Sequence, residues 1–567
     1  MKSEIKNCQN CKKDFVIEPD DFSFYEKIKV PAPTWCPDCR FQRRCVFRNE
    51  RKLFRNIDAI SKKSIISLFP PEANFPIYED SYWWSDKWDP CEYGIDFDRS
   101  RPFLSQLYEL SKKVPHPRSD ATRMVRSEYS ANAADLKNCY LIFNSTSTED
   151  SAYGNAVDYC KNTFDNSHIQ SSEKCYESFW LNKCYDTYFS SQCEECVSVW
   201  FCKNCYGCMN CFGCVNLVNK SYYFFNEPMS KENYLNKIKL VNLFRWTDLE
   251  KIKNEVKDFW INFPNRYLQG IKNHLCSGEY ISHSKNVRDS YLIREGQDLK
   301  YVQYGLVPSL RDCMDVSVSG NNSELIYESV TSGWNSSQIK FCYECWDGGT
   351  DFEYSVFCGN KANHVFGSVA IKSGNYIILN KKYSKEEFIK LRDEIREHMD
   401  KMPYIDSQDR VYKYGEFLPP EFSPFAYNDT IAPEHFSLSK EEIIKYGGNW
   451  YEIPKAEYSI TVKAEDIPND IHDIHDNFLD EIISCLKCGH AYKIIISELQ
   501  FLKQNNISVP RYCVNCRHNE RISQRNKSKL YHRSCMKEGC QNEFETSYAP
   551  DRPEIIYCEK CYQQEVY

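Results

Sequence analysis

The stretch CYESFWLNKCYDTYFSSQCEECVSVWFCKNCYGCMNCFGC, from Cys175 to Cys214, decides the fold. Within it cysteines recur every nine residues, at Cys175, Cys184, Cys193, Cys202 and Cys211. A fixed short period predicts a solenoid, in which each repeat packs on its neighbours. Because a nine-residue unit is short for a whole coil, we expect two units per coil, built from short strands. Helical periodicity is absent from about 130 to 225 and from 280 to 380, which favours β structure.

The repeat region is itself duplicated. DLKNCYLIFNSTSTEDSAYG from Asp135 matches NVRDSYLIREGQDLKYVQYG from Asn286, and the two copies also close alike. We therefore predict two β-solenoid halves of one architecture. Each half should end in a helix, because Ser384 and Glu387 form a capping box before one helical pattern and residues 230 to 260 are its counterpart.

A cysteine ladder at the end of the opening stretch allows three interpretations. Its C-x2-C-x2-C run has the spacing of bacterial iron–sulfur ligands. An additional zinc or other thiolate-bound metal is the second interpretation, and compact filler of a narrow solenoid core is the third. The second half lacks most of these cysteines, which favours core filler. The cysteine ladder, and the candidate ligands of an additional metal, are Cys193, Cys196, Cys202, Cys205, Cys208, Cys211 and Cys214.

Sets of four cysteines lie near both ends of the chain. Cys8, Cys11, Cys36 and Cys39 recur as Cys485, Cys488, Cys513 and Cys516 at a constant offset of 477, and a third set follows as Cys535, Cys540, Cys558 and Cys561. Two CxxC pairs separated by 24 residues can bring four thiolates to one tetrahedral Zn²⁺, with no open position for a catalytic water. We predict structural zinc ribbons holding about three zinc ions per chain. Disulfide bonding is less favoured, because the sequence starts without an apolar secretion signal.

A basic stretch follows each of the two matching ribbons. Residues 40 to 55 hold seven Arg or Lys against one Glu, and residues 511 to 533 do the same, in a chain with a formal net charge of −8. Such a pattern is expected where phosphates are contacted, and a solvated helix face is the alternative. The candidate nucleic-acid contacts are Arg40, Arg43, Arg44, Arg48, Arg517, Arg521 and Arg525.

The first ribbon resembles a known family. NCQNCKKDF followed by FYEKIKVPAPTWCPDCRFQRR is similar to short bacterial "probable zinc-ribbon" domains, over residues 1 to about 50 and less closely over 480 to 530. The second copy departs from the family pattern at Phe501, Leu502 and Val514. The whole order of ribbon, cysteine-rich repeats and paired terminal ribbons resembles large uncharacterised cysteine-rich bacterial proteins. The resemblance implies zinc binding and supplies no activity.

These patterns together predict a mainly β chain with a few α-helices, a duplicated β-solenoid and flanking zinc ribbons. The predicted segments are a zinc ribbon with basic tail at 1–55, an aromatic-rich connector at 56–125, solenoid halves with closing helices at 126–260 and 261–400, a connector at 401–480, and further ribbons at 481–533 and 534–567.

The functional prediction is a zinc-binding, non-enzymatic scaffold or interaction protein. Its basic-tailed ribbons would contact nucleic acid or ribonucleoprotein. The alternatives are a metal–sulfur redox protein that uses the cysteine ladder and a pure protein-interaction module. P-loop, G-x-G-x-x-G, G-x-S-x-G and H-E-x-x-H motifs are absent, so we expect no catalytic residues. Without an apolar stretch long enough for a membrane helix, we expect a cytoplasmic protein.

Overall fold

The computed structural model describes residues 2–305, 309–346, 348–452 and 458–566. The protein is mainly β, and its parallel strands stack into a β-solenoid in two halves, as predicted. Cysteine sets lie near both chain ends, also as predicted. Over the described ranges, every helix is too short or too polar to cross a lipid bilayer.

The first segment is a hairpin followed by two helices. Its elements are β1 (Glu4–Asn7), β2 (Asp14–Ile17), α1 (Pro19–Ile28) and α2 (Pro37–Cys45). Each helix begins with proline, which is favoured at the first helical position because its missing N–H would have no partner there. The connector to the solenoid contains β3 (Phe54–Ile57), β4 (Ser64–Ser67), β5 (Ile77–Tyr78), α3 (Asp80–Trp83), α4 (Phe103–Lys113) and β6 (His116–Pro117).

The first solenoid half is built from short parallel strands and closes with two helices. Its strands are β7 (Ala121–Thr122), β8 (Ala131–Ala134), β9 (Tyr140–Thr146), β10 (Ala152–Asp158), β11 (Ser167–Gln170), β12 (Glu173–Tyr176), β13 (Phe179–Asn182), β14 (Tyr185–Tyr188), β15 (Ser191–Glu194), β16 (Val197–Trp200), β17 (Met209–Phe212), β18 (Ser221–Phe224) and β19 (Glu227–Pro228). The predicted helix at 230–260 is two helices, α5 (Lys231–Ile238) and α6 (Trp246–Trp260).

A coil of the first half contains 12 residues. Cys175 pairs with Thr187, Thr187 with Val199 and Val199 with Cys211, so equivalent positions are 12 residues apart. The expectation of two nine-residue units per coil is therefore wrong. An inward side chain recurs at every third residue, so four triplets make one coil, and the nine-residue cysteine spacing spans three of them.

Each triplet contains a residue with left-handed backbone. The positions from Asp150 to Phe201 include a positive φ at every third residue, between 47° and 61°. A non-glycine residue in this region costs about 1 to 2 kcal/mol, less for Asn and Asp. Backbone hydrogen bonds between coils offset that cost; the N–H of Glu177, for example, donates to the carbonyl of Phe164 at 3.1 Å. The small space inside such a coil suits cysteine, serine and valine.

The second half repeats this plan with longer strands. Its elements are β20 (Asn265–Arg266), β21 (His274–Ser282), β22 (Lys285–Arg294), β23 (Gly296–Lys300), β24 (Gln303–Gly305), β25 (Leu310–Ser319), β26 (Ser323–Ser332), β27 (Ser337–Lys340), β28 (Tyr343–Cys345), β29 (Thr350–Glu353), β30 (Lys361–Phe366), β31 (Ser373–Ile378), β32 (Lys381–Lys382) and α7 (Lys385–Lys401). Three successive coils are one residue longer, because Ile326, Ile339, Phe352 and Val365 pair at intervals of 13, whereas Val365 pairs with Ile377 at 12. The capping box of Ser384 and Glu387 at the start of α7 is confirmed.

An asparagine side chain caps the last coil of each half. Asn226 and Asn380 have left-handed backbone with φ of 62°. The side-chain oxygen of Asn380 accepts from the N–H of Val369 at 2.7 Å, and its amide donates to the carbonyl of Val369 at 2.9 Å. Asn226 makes the same two hydrogen bonds with Val215, accepting from its N–H at 2.9 Å and donating to its carbonyl at 3.0 Å. The asparagine side chain thus replaces the next coil as hydrogen-bond partner.

Replacing Asn380 by alanine should lower the free energy of unfolding by about 2 to 4 kcal/mol, because it leaves a buried N–H and carbonyl without partners. Asn226 is partly exposed, and its replacement should cost about 1 to 2 kcal/mol because water can bind the freed N–H and carbonyl of Val215. Urea unfolding followed by circular dichroism would measure both. Equal losses in the two variants would contradict this account.

The chain after the solenoid consists of short elements. They are β33 (Tyr404–Ile405), β34 (Val411–Tyr412), α8 (Ala432–His435), α9 (Lys440–Tyr446), β35 (Val462–Lys463), β36 (Ile483–Ser484), β37 (Ala491–Tyr492), α10 (Ile496–Gln504), α11 (Val514–Ile522), β38 (Tyr531–Ser534), β39 (Glu543–Thr546), β40 (Ile556–Tyr557) and α12 (Glu559–Val566).

The two solenoid halves lie side by side. Trp180 packs on Tyr280 with ring centroids 4.7 Å apart, and His168 lies 5.6 Å from Tyr304. A residue later in the first half thus contacts a residue earlier in the second half. The coils of the two halves are therefore stacked in opposite order along the chain. A seam between the halves results, and it positions the features described below.

Candidate metal centres

The first cysteine set is assembled by the β1–β2 hairpin and the start of α2. Cys8 and Cys11 lie in the hairpin turn, where the N–H of Lys12 donates to the carbonyl of Cys8 at 2.9 Å. Cys36 precedes the first residue of α2, and Cys39 lies in its first turn. All four sulfurs lie within 4.8 Å of one another, and the Cys11 and Cys36 sulfurs are 3.7 Å apart.

The second set repeats this geometry. Gly489 donates its N–H to the carbonyl of Cys485 at 2.9 Å, as Lys12 does in the first set, and Cys513 precedes α11 as Cys36 precedes α2. The Cys488 and Cys513 sulfurs are 3.7 Å apart, and the four sulfurs again lie within 4.8 Å of one another.

The third set joins two loops of the C-terminal segment. Cys535 and Cys540 follow β38, and Cys558 and Cys561 lie at the start of α12. The Cys540 and Cys558 sulfurs are 3.9 Å apart, within a set whose sulfurs all lie within 4.8 Å of one another. The longer spacing of its first pair therefore does not prevent the four thiols from meeting.

All three sets, which are the metal-capable groups found in the described ranges, fit one tetrahedral ion each. Four sulfurs about 2.3 Å from a common centre are about 3.8 Å apart along each edge. The sulfur pairs at 3.7, 3.7 and 3.9 Å match that edge. The residues can therefore hold metal ions, and four thiolates leave no position for water.

Hydrogen bonds to sulfur support each set. The backbone N–H of Cys36 donates to the Cys8 sulfur at 3.2 Å, and that of Cys513 donates to Cys485 at the same distance. In the third set the N–H of Cys558 donates to Cys535 at 3.3 Å. Such donors orient thiolates and stabilise their negative charge.

The pKa of one thiol in each C-terminal set falls towards neutrality. Burial raises the pKa of Cys485, but the backbone N–H groups of Cys513 and Cys488 outweigh burial and lower it to about 7. Burial also raises the pKa of Cys558, and the Asn542 amide with other donors lowers it to about 7. Thiolate, the form that binds a metal, is thereby favoured at these two residues.

The arginines of the first basic stretch are buried against the second solenoid half. Arg40 donates to the Asp315 carboxylate at 2.8 and 2.9 Å, and Arg44 reaches the other oxygen of Asp315 at 3.2 Å. Arg43 makes a two-oxygen contact with Glu328 at 2.8 Å and contacts Glu416 at 3.0 Å. The side chains of all three arginines are at most 2% exposed.

Arg48 continues the same pattern. Its guanidinium donates to the Glu344 carboxylate at 2.9 Å, and the arginine side chain is buried. Asn132 and Asn144 of the first half also accept hydrogen bonds from Arg48. The basic stretch that follows the first cysteine set therefore reaches across the seam between the halves.

The arginines of the second basic stretch are buried against the first half in the same manner. Arg517 and Arg521 both contact the Asp165 carboxylate, the latter at 3.0 Å. Arg517 also pairs with Glu498 at 2.6 Å. Arg521 lies at 3.4 Å from the Ser167 hydroxyl, as Arg44 lies at 3.1 Å from the Ser317 hydroxyl.

The arginines predicted to contact nucleic acid have partners within the chain. Arg40, Arg43, Arg44, Arg48, Arg517 and Arg521 are buried in internal ion pairs, and Arg525 pairs with Glu434 at 3.2 Å with its side chain 12% exposed. Charged groups held by buried carboxylates cannot reach an external phosphate without breaking those pairs. Arg40, Arg43, Arg44, Arg48, Arg517 and Arg521 therefore clamp the segments that contain the first and second cysteine sets to the solenoid.

The cysteine ladder occupies the core of the first half. The thiols of the seven ladder cysteines named above are at most 1% exposed. Cys193 and Cys196 donate to the carbonyls of Cys202 and Cys205, nine residues on, at 3.5 and 3.4 Å. Among the described residues, the metal-capable sets contain none of these cysteines. The geometry is that of compact core side chains with weak S–H donors.

Sequence reasoning missed the acidic partners of the arginines. Asp165, Asp315, Glu328, Glu416 and Glu498 are all buried. A partial signal was available, because Glu328 lies in a Tyr-Glu-Ser triplet that recurs in both halves. Nothing in the sequence linked that triplet to Arg43, which lies 285 residues away.

No protein-family model matches the chain, and no curated protein matches it.

Proposed function

We propose that this protein is a zinc-stabilised, non-enzymatic scaffold in which two metal sites each anchor an arginine clamp on one solenoid half. One observation carries the proposal: the candidate metal ligands and the clamp arginines lie together at one short helix. Cys36 and Cys39 lie at the start of α2, and Arg40, Arg43 and Arg44 follow within the same helix. Anything that fixes the cysteines therefore fixes the arginines.

The choice of zinc rests on ligand chemistry. Tetrahedral four-sulfur sites suit Zn²⁺ or iron, and closed CxxC pairs on small hairpins are typical of structural zinc. A closed site supplies folding free energy and no reaction centre. Thiolates of this kind stay reduced in a reducing compartment such as the cytoplasm, which is where we place the protein.

The scaffold role follows from the two clamps. The segments that follow the first and second cysteine sets each dock on one solenoid half through buried ion pairs, and the halves meet along the seam. The result is a long β surface held in one arrangement, suited to binding a partner. Nucleic acid is not the partner proposed here, because the arginines that suggested it are internal.

Metal analysis tests the proposal. Protein purified without oxygen should contain about three zinc ions per chain and show no visible absorbance. Cys8→Ser should remove one zinc, because it breaks a four-thiolate set. Cys160→Ser, at a buried solenoid cysteine outside the sets, should leave the zinc content unchanged.

Iron with sulfide, or full zinc content in the Cys8 variant, would contradict the proposal. More than three zinc ions that depend on Cys205 or Cys208 would instead make the cysteine ladder a metal site.

A further inference from the structure

The third cysteine set lies in a segment that contacts the chain between the two solenoid halves. We call residues 261–273, which connect α6 to β21, the linker. Strand β40 pairs in parallel with β20 of the linker, and the backbone N–H groups of Asn265 and Tyr267 donate to carbonyls of the β40 segment at 2.8 and 3.0 Å. Because Cys558 directly follows β40, a candidate metal ligand adjoins the strand that holds the linker.

Helix α12, which contains Cys561, packs against the last coils of the first half. The Tyr562 hydroxyl donates to the side-chain oxygen of Asn216 at 3.1 Å, and the tyrosine is 1% exposed. The side-chain amide of Asn216 in turn donates to the carbonyl of Pro264 in the linker at 2.8 Å. A chain of hydrogen bonds therefore runs from the helix of the third set, through the first half, to the linker.

The other loop of the third set belongs to a hairpin that contacts the second half. Cys535 directly follows β38, and the paired strand β39 ends at Thr546. The Thr546 hydroxyl donates to the carbonyl of Tyr267 in the linker at 2.6 Å, and the Ser547 hydroxyl donates to the buried carboxylate of Glu279 on β21. Four thiols that share one ion would therefore tie together the linker, the end of the first half and the start of the second.

The third set differs from the other two in what supports it. The segments of the first and second sets are held to the solenoid by buried arginine–carboxylate pairs. Across the described part of the chain, residues 531–566 form an ion pair with the rest of the protein through Glu559 and Arg266, and the Glu559 side chain is 43% exposed. Breaking an exposed ion pair costs little free energy, whereas leaving a buried charge unpaired costs much more. Less free energy therefore opposes opening of the third set.

We propose that the third cysteine set is a metal-dependent clasp on the linker, which opens before the two arginine clamps when metal is scarce. The inference rests on the proposed function, because it requires that the set holds a metal ion. When the clasp opens, the linker loses its partner strand β40, and the adjoining end of the seam loosens. The contacts of Arg48 and Trp180 still join the halves. The relative position of the two halves thereby responds to the supply of metal.

Hydrogen exchange of the full chain, followed by mass spectrometry, tests the clasp. Cys540→Ser removes one thiol of the third set, so we expect one zinc ion fewer per chain. The amides of Asn265 and Tyr267 should exchange at least about tenfold faster, because their acceptors are no longer anchored. Exchange over α2 and α11 should not change. Cys8→Ser is the matched control: it should also lose one zinc ion, but it should speed exchange over α2 and leave the linker unchanged.

Stepwise chelation of the wild-type chain tests the order of release. Loss of the first zinc ion should accompany faster exchange of the linker. Trypsin cleavage after Arg43 and Arg521 should accelerate only when further zinc is removed. Tyr562→Phe keeps every thiol and should retain the zinc, but it should speed exchange of the linker by about threefold or more, because Asn216 loses a hydrogen-bond donor.

The outcomes separate the clasp from the metal assignment. Loss of zinc from Cys540→Ser without faster exchange of the linker would overturn the clasp alone. Release of the linker and the clamps at the same step of chelation would also overturn it. A Cys540→Ser chain that keeps all its zinc, or a wild-type chain without zinc, would overturn the proposed function and the clasp with it.

Discussion

Replacing Asp315 by alanine should lower the free energy of unfolding by about 3 to 5 kcal/mol, because it leaves buried arginine charge without its carboxylate. Arg40 and Arg44 both depend on this one side chain, which is fully buried. Arg44 would keep only the Ser317 hydroxyl and a Glu328 oxygen at 3.8 Å. Urea unfolding would measure this loss of free energy, with zinc content checked before each measurement.

Asp312 offers a matched control on the same strand, β25. Its carboxylate pairs with Lys27 at 2.9 Å, but both side chains are exposed to solvent. Asp312→Ala should therefore cost at most about 1 kcal/mol. Asp165→Ala, which removes the common partner of Arg517 and Arg521, should match the Asp315 variant. If Asp315→Ala cost no more than Asp312→Ala, the first clamp would not exist in solution.

Removing the metal should release both arginine helices. A structural four-thiolate zinc site contributes about 10 to 16 kcal/mol to the folding of a small metal domain. Without it the hairpin and the start of α2 lose their common anchor, and the clamp residues gain access to solvent. Trypsin reports this directly, because it cleaves after arginine. Cleavage after Arg43 and Arg521, both buried in the folded chain, should accelerate by about a hundredfold or more after chelation under reducing conditions.

Lys62 provides the internal control for that experiment. It is exposed in the β3–β4 turn, and its cleavage rate should not change when the metal is removed. Adding zinc back should restore the protection of Arg43 and Arg521. Unchanged protection in the metal-free chain would mean that ion pairs and apolar packing hold the helices without any metal.

The period of the cysteines predicted a solenoid but gave the wrong coil length. In this fold an inward position recurs every three residues, so cysteines three or nine residues apart are compatible with any coil made of whole triplets. The number of triplets in a coil is set by which strands pair, and pairing is a tertiary property. Only the register of Cys175 with Thr187 shows that the number is four.

The cysteine sets were predictable because short stretches of sequence specify their geometry. A CxxC pair forms its own turn, and the exact repetition at an offset of 477 indicated that two sets share one geometry. The basic stretches were equally visible, but a run of arginines carries no information about what faces it. The carboxylates that bury Arg40 and Arg43 are 275 and 285 residues away, where the sequence shows only ordinary acidic residues.

The docking of the N-terminal segment, which contains the first cysteine set, on the second half has a consequence for synthesis of the chain. Arg40 emerges from the ribosome 275 residues before its partner Asp315. At about 5 to 20 residues per second, the first arginine helix waits about 14 to 55 s with no carboxylate to bury it. During that interval the nascent chain presents a basic helix, beside a cysteine set that could hold a metal ion, that the finished protein conceals. Any factor that binds this helix on the ribosome would therefore distinguish unfinished chains from complete ones.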